Sequence, residues 1–347
     1  MRDQPRIDEG RARELLELAE TAAPGRPDRE SHAARLLAAA DDVAPAVEHL
    51  LRTDPAAAAR MTAALPTFWL DAGRVDEGRR LTELAIEASV GPATPALARA
   101  LLAAAQLAFR QGDQAAAERR SHDAIAVGLE VGDHAAVALA HTDLARVAYR
   151  AGDAGRIEEH AQRALEIGSD DPLARRNALH MLAWAAHTAG DLALAERRFE
   201  ESLAFRRELG DRFSVAVEIA NLGDLAAQQG DLAGAARRLS ETLEVARELN
   251  SQYLVLNLLP SLGALAARAG DDEAAARLLG ATDALSRSSG LIPDPGIWQP
   301  VMDEVATRLG GRFDALRAEG AALDQGAAVD LASRVARSVA GQPGVST

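Results

Sequence analysis

Apolar residues recur along the chain at intervals of three and four, the spacing of one helix face, and each such stretch ends in a short polar or glycine-containing break. The breaks are periodic. Gly112-Asp113, Gly152-Asp153, Gly190-Asp191, Gly230-Asp231 and Gly270-Asp271 stand 40, 38, 40 and 40 residues apart, with Gly73-Arg74 before the series and Gly310-Gly311 after it. A second set falls midway, at Gly91, Gly132-Asp133, Gly168-Ser169-Asp170, Gly210-Asp211, Asn250-Ser251 and Gly290. Each period therefore holds two segments of about twenty residues closed by a residue that tolerates positive φ, which predicts helix, turn, helix, turn.

The packing positions keep step with the turns. Eight residues before each Gly-Asp pair stand Ala104, Leu144, Leu182, Leu222 and Leu262; four before stand Ala108, Ala148, Ala186, Ala226 and Ala266; five after come Ala117, Ile157, Ala195, Ala235 and Ala275. Small residues at fixed helical positions let neighbouring helices approach closely, so each pair buries its stripe against the next. The clearest unit, residues 211 to 231, carries Leu222-Gly223, Ala226 and Gly230-Asp231 in the order found in the first helix of a tetratricopeptide repeat, and the chain resembles that family. The resemblance implies an all-α, right-handed superhelical solenoid of about six helix pairs with a period of about 40 residues. The expected organisation is a helical cap over 1–54, a repeat array over 55–290, a second cap over 291–341 and a frayed tail over 342–347.

The caps depart from the period. Residues 8 to 22 read as a helix, followed by the break Pro24-Gly25-Arg26-Pro27; PAAAARMTAALPTFWLDAG and VDEGRRLTELAIEAS then read as a divergent first helix pair, with Trp69 where later repeats place Ala. Beyond Asp271 come ARLLGATDAL, the loop Leu291 to Pro295 and a helix from about Trp298 to Leu309. The stretch FWLDAGRVDEGRRLTELAI and the ending ARLLGATDAL, with Leu309-Gly310, Phe313, Glu319-Gly320 and Ala327-Ala328-Val329, resemble the carboxy-terminal repeat region of AfsR-like and LuxR-like ATP-dependent bacterial transcription regulators. That resemblance implies a sensing or docking arm. A phosphate-binding loop ending in Gly-Lys-Ser/Thr is impossible here, because the 38 basic residues are all Arg, and no segment reads as a basic recognition helix.

Charge and composition narrow the class further. A net charge of −14 disfavours nucleic acid as a direct ligand, the absence of Cys removes disulfides and thiolate ligands, and the start MRDQPRIDEGRARELL has no apolar signal core, so a cytoplasmic protein is expected. The longest uncharged run, Leu249 to Ala267, contains Asn250, Gln252, Asn257 and Pro260 and falls in repeat register, which marks a buried helix and not a membrane span.

Catalytic and metal chemistry finds little support. His134 with His141, and His180 with His187, are seven apart, so each pair lies about 10 Å apart along its helix, too far for one metal. No nucleophile elbow occurs, and the adjacent carboxylates Asp41-Asp42, Glu158-Glu159 and Glu200-Glu201 point apart. The doublets Arg119-Arg120, Arg197-Arg198 and Arg237-Arg238 read as a solvated convex face with ion pairs. We expect no metal, no cofactor and no enzyme activity; an enzyme using the groove Arg, His and Tyr residues is the least favoured alternative.

The inner face is more informative. In tetratricopeptide arrays, the slots thirteen, ten, six, three and two residues before the turn glycine line the concave surface. The resemblance places there Arg99, Gln106, Phe109 and Arg110, then Thr142, Arg146, Tyr149 and Arg150, then Asn177, His180, Trp184 and His187, and later Asp224. An acidic chain thus lines these slots with cations and rings. Arg forks bind carboxylates bidentately and aromatic faces offer rigid contact area, so the expected ligand is an acidic or carboxylate-bearing peptide or protein segment, with an anionic, partly aromatic small molecule as the alternative. Binding is expected to be salt-sensitive, and Ala at Arg146 or Trp184 to weaken it with little loss of stability.

Overall fold

A computed structural model describes residues 7–23, 29–168, 170–293 and 298–341. The described residues are helical throughout, without a strand, and they fall into two compact units, Met1–Asp191 and Leu192–Thr347, divided at the Gly190-Asp191 turn.

The first unit contains α1 (Glu9–Ala22), α2 (Arg29–Ala38), α3 (Ala40–Thr53), α4 (Pro55–Ala64), α5 (Pro66–Asp71), α6 (Val75–Ala88), α7 (Pro95–Arg110), α8 (Gln114–Val131), α9 (His134–Arg150), α10 (Ala154–Ile167) and α11 (Pro172–Thr188). From α7 onward each helix packs on the next, and α7, α9 and α11 also touch in series, as the first helices of stacked tetratricopeptide-like pairs do. The stretch from Pro55 to Gly73 is not one helix. Pro66 has no N–H to donate, so the chain turns at Leu65 and restarts as α5 with Pro66 in its first turn. That turn seats Trp69, fully buried, on α6, where a Cβ at Gly78 would lie 2.3 Å from the indole.

The second unit contains α12 (Leu192–Glu208), α13 (Arg212–Gln228), α14 (Leu232–Glu248), α15 (Gln252–Arg268), α16 (Asp272–Ser289), α17 (Trp298–Leu309), a 3-10 turn (Gly310–Arg312), α18 (Phe313–Ala321) and α19 (Gln325–Ala340). Helices α13 to α16 continue the paired packing, while α17, α18 and α19 pack back on α14, α15 and α16. The uncharged stretch becomes α15, most of which is buried, and no helix among the described residues is long and apolar enough to cross a membrane.

The Gly-Asp dipeptides divide their work between two helices. Gly112, Gly132, Gly152, Gly210, Gly230 and Gly270 all adopt positive φ after a helix end, and the following Asp caps the next helix by accepting the backbone N–H three residues on, as Asp113, Asp133, Asp153, Asp211, Asp231 and Asp271 do. Asn250 takes the glycine's place at φ 48°, and Ser251 caps. Gly168 differs: its φ is −107°, and it is required instead because a Cβ there would meet those of Ala138 and Ala174 at 2.6 and 2.7 Å. Ser169, the break Pro24-Gly25-Arg26-Pro27, the end of the loop at Pro295 and the tail 342–347 lie outside the described residues.

Candidate ligand-binding groove

The row α7, α9 and α11 carries the polar and aromatic slots of the first unit, and its side chains form three linked groups. In the first, Phe109 at the end of α7 lies beneath two guanidiniums, that of Arg150 with its Cζ 4.3 Å from the ring centroid and that of Arg110 at 5.4 Å, both within cation–π range. Phe109 is only 5% exposed, so the ring is a floor under the two cations.

The second group centres on Asp143, one residue beyond the anticipated slot at Thr142. Asp143 is buried, accepts a bond from Arg146 and has Gln106 Nε2 at 3.5 Å. Burial pushes its carboxyl above the usual carboxylate range, opposed by Arg146, Gln106 and Arg110. Two arginines thus act on one buried carboxylate, in a row of helices that carries more Arg than Asp or Glu inside an acidic protein.

The third group is aromatic. Tyr149 and Trp184 lie 4.5 Å apart with planes inclined at 44°, His180 and His187 meet the Trp184 ring edge-on at 6.3 and 5.2 Å, and the Trp184 indole N–H donates to His180 Nε2 at 3.2 Å. That bond assigns His180 the tautomer with hydrogen on Nδ1, because only an unprotonated Nε2 can accept it. Trp184 is 8% exposed, so truncating it to Ala removes core volume as well as groove surface, and the small stability cost anticipated from sequence does not hold.

The remaining anticipated residues stand apart from these groups. Arg99 is exposed at the start of α7 and donates to Asp133, the cap of α9, at 2.9 Å. The Thr142 hydroxyl is buried and donates to the Leu139 carbonyl at 2.6 Å, and buried Asn177 accepts from Arg176 at 3.4 Å. Asp224 belongs to the second unit, where Ser261 donates to it at 2.8 Å; burial raises its pKa to about 7 against the opposing effects of Ser261 and Arg268.

Sequence reasoning paired histidines along single helices and missed the pair that forms between helices. His141 on α9 meets His160 on α10 with Nδ1 atoms 3.2 Å apart and ring centroids 5.5 Å apart. The detectable signal was the run His122, His141, His160 at intervals of 19, which puts one histidine on each of α8, α9 and α10.

No protein-family model matches the chain, and no curated protein does. Among solved structures, the chain is similar in fold to a Rap protein complexed with competence and sporulation factor, at 15% identity over 94% of this chain and 95% of that one, with a TM-score of 0.58. The apo form of RapI aligns at 14% identity over 94% and 97% of the two chains with a TM-score of 0.48, and aspartyl phosphate phosphatase F from Bacillus subtilis at 14% over 89% and 82% with 0.47. At these identities the likeness to the first establishes a shared fold, an all-α stack of tetratricopeptide-like helix pairs.

Proposed function

We propose that the protein is a bacterial regulatory interaction module whose α7–α9–α11 row holds a carboxylate-bearing segment of a peptide or protein partner. The observation that carries this reading is the convergence of Arg110 and Arg150 on Phe109, beside Arg146 and the Tyr149–Trp184 pair. Planar guanidiniums on an aromatic floor present the geometry that takes a carboxylate as a bidentate ligand. The fold supports ligand holding, since the Rap protein that shares it is itself in complex with competence and sporulation factor. The resemblance of both ends to the repeat region of AfsR-like and LuxR-like regulators supports a regulatory setting, with residues 55–290 as the array and the ends as caps.

The test is binding of an acidic peptide library, followed by the best binder against variants. Arg146→Ala would strand Asp143 and Trp184→Ala would cut the core, so Arg110→Gln with Arg150→Gln is the cleaner change, and Arg197→Gln is the control on an exposed face. The double variant should lose about tenfold or more in affinity, equivalent to about 1.4 kcal/mol, and the loss should shrink at high salt. Equal weakening by the control, or retention of a small anionic metabolite that peptides fail to displace, overturns the peptide reading.

A further inference from the structure

We propose that His141 and His160, facing each other where α9 crosses α10, form a binding site for a divalent transition-metal ion of the zinc class, with His122 of α8 as a third ligand and water completing the shell.

The geometry carries it. Two imidazole nitrogens bound to one tetrahedral zinc at the usual bond length of about 2.0–2.1 Å stand about 3.3–3.4 Å apart. The two Nδ1 atoms already stand 3.2 Å apart, so an ion can take the place of the shared proton once the two rings turn their lone pairs toward it. Both rings keep partial solvent contact, which gives an ion access, and His122 is exposed on the neighbouring helix, free of the packing that would fix its rotamer. Among the described residues no three His, Asp or Glu side chains already converge on one point, so the third ligand must swing in.

Charges of both signs surround the pair. Imidazole binds a metal ion only when unprotonated. The cations facing the pair are engaged by carboxylates of their own: Arg156 pairs with Glu118 at 2.8 Å and Arg163 with Glu166 at 3.2 Å. Glu159 adds negative charge next to His160.

The experiment uses the full chain without a histidine tag, stripped with chelator, and titrates zinc by calorimetry and cobalt by visible absorption. One ion per chain should bind with a dissociation constant of about 1–10 μM, a typical strength for few-ligand sites well short of the closed zinc-finger sites. His141→Gln or His160→Gln should weaken it about thirtyfold or more and His122→Gln about tenfold, while His134→Gln, on the same helix as His141, should leave it unchanged. Because the glutamine variants could unfold, their melting in chelator is compared with the parent, and the parent's cobalt spectrum stands as an independent measurement. A parent that shows no nitrogen-ligated tetrahedral cobalt bands, or a folded His141→Gln/His160→Gln double variant that binds zinc as the parent does, overturns the site.

Discussion

Burial pushes the Asp224 carboxyl to a pKa of about 7, so this residue makes stability depend on pH. Unfolded, it titrates near 3.9. Between about 4 and 7 the folded state therefore binds more protons than the unfolded one, so the contribution of Asp224 is fully present below pH 4 and is lost as pH rises through 7. Asp224→Asn keeps an oxygen to accept from Ser261 and never ionises. The variant should match the parent at pH 4 and be more stable at pH 8 by about 1 kcal/mol, at the low end for such a shift because the side chain keeps a partial solvent contact. Thermal melts of both proteins at the two pH values check this, and identical pH profiles would refute it. The sequence placed Asp224 in a groove slot but could not show that its carboxyl is desolvated and held by Ser261. Nor could it show that Glu218 lies fully buried against Arg206, Ser202 and Asn221, since partner choice across helices leaves no local signature.

Between elements, α16 and α18 approach one another backbone to backbone. A Cβ at Gly280 would lie 1.9 Å from the Arg317 carbonyl oxygen, and one at Gly320 would lie 1.9 Å from that of Arg277, so the two helices cross backbone to backbone through paired glycines. This gives physical content to the ending ARLLGATDAL and Glu319-Gly320, as the Trp69–Gly78 contact does to FWLDAGRVDEGRRLTELAI. Gly280→Ala must displace backbone and not a flexible side-chain tip, so it should destabilise by about 3 kcal/mol, the upper range for overpacking. Gly311→Ala, where a Cβ meets nothing within 4 Å, should change stability by less than about 0.5 kcal/mol. Urea denaturation of the two variants decides it; equal midpoints would show that the crossing yields. The turn glycines were legible because period, neighbouring Asp and positive φ coincide at one place in the chain. Gly168, Gly280 and Gly320 were not, since their requirement comes from a helix elsewhere in the sequence. The split of α4 from α5 was missed for another reason: Pro66 lies inside an otherwise unbroken apolar stripe.

In the whole molecule, contacts run mainly between successive helices, and each compact unit has a core of its own. In the second unit one cluster runs from Ala216 to Val339, while in the first, smaller clusters form around Leu101 and Ala108. Stability in such an array is a sum of unit and nearest-neighbour terms, so nothing forces the chain to unfold at once. The net charge of −14 acts in the same direction, because diffuse self-repulsion weakens the compact state without tying distant helices together. Calorimetry should therefore give a total unfolding enthalpy well above the van't Hoff value, approaching about twice it if the two units melt separately. Gly280→Ala supplies the discriminating experiment, because its lesion lies wholly within the second unit. In the variant one transition should move down by several degrees while the other stays within about 1 °C of its parent position, as expected for sites that share no partners. A single transition with matching enthalpies, shifted as a whole by Gly280→Ala, would instead mean that the chain folds as one cooperative body.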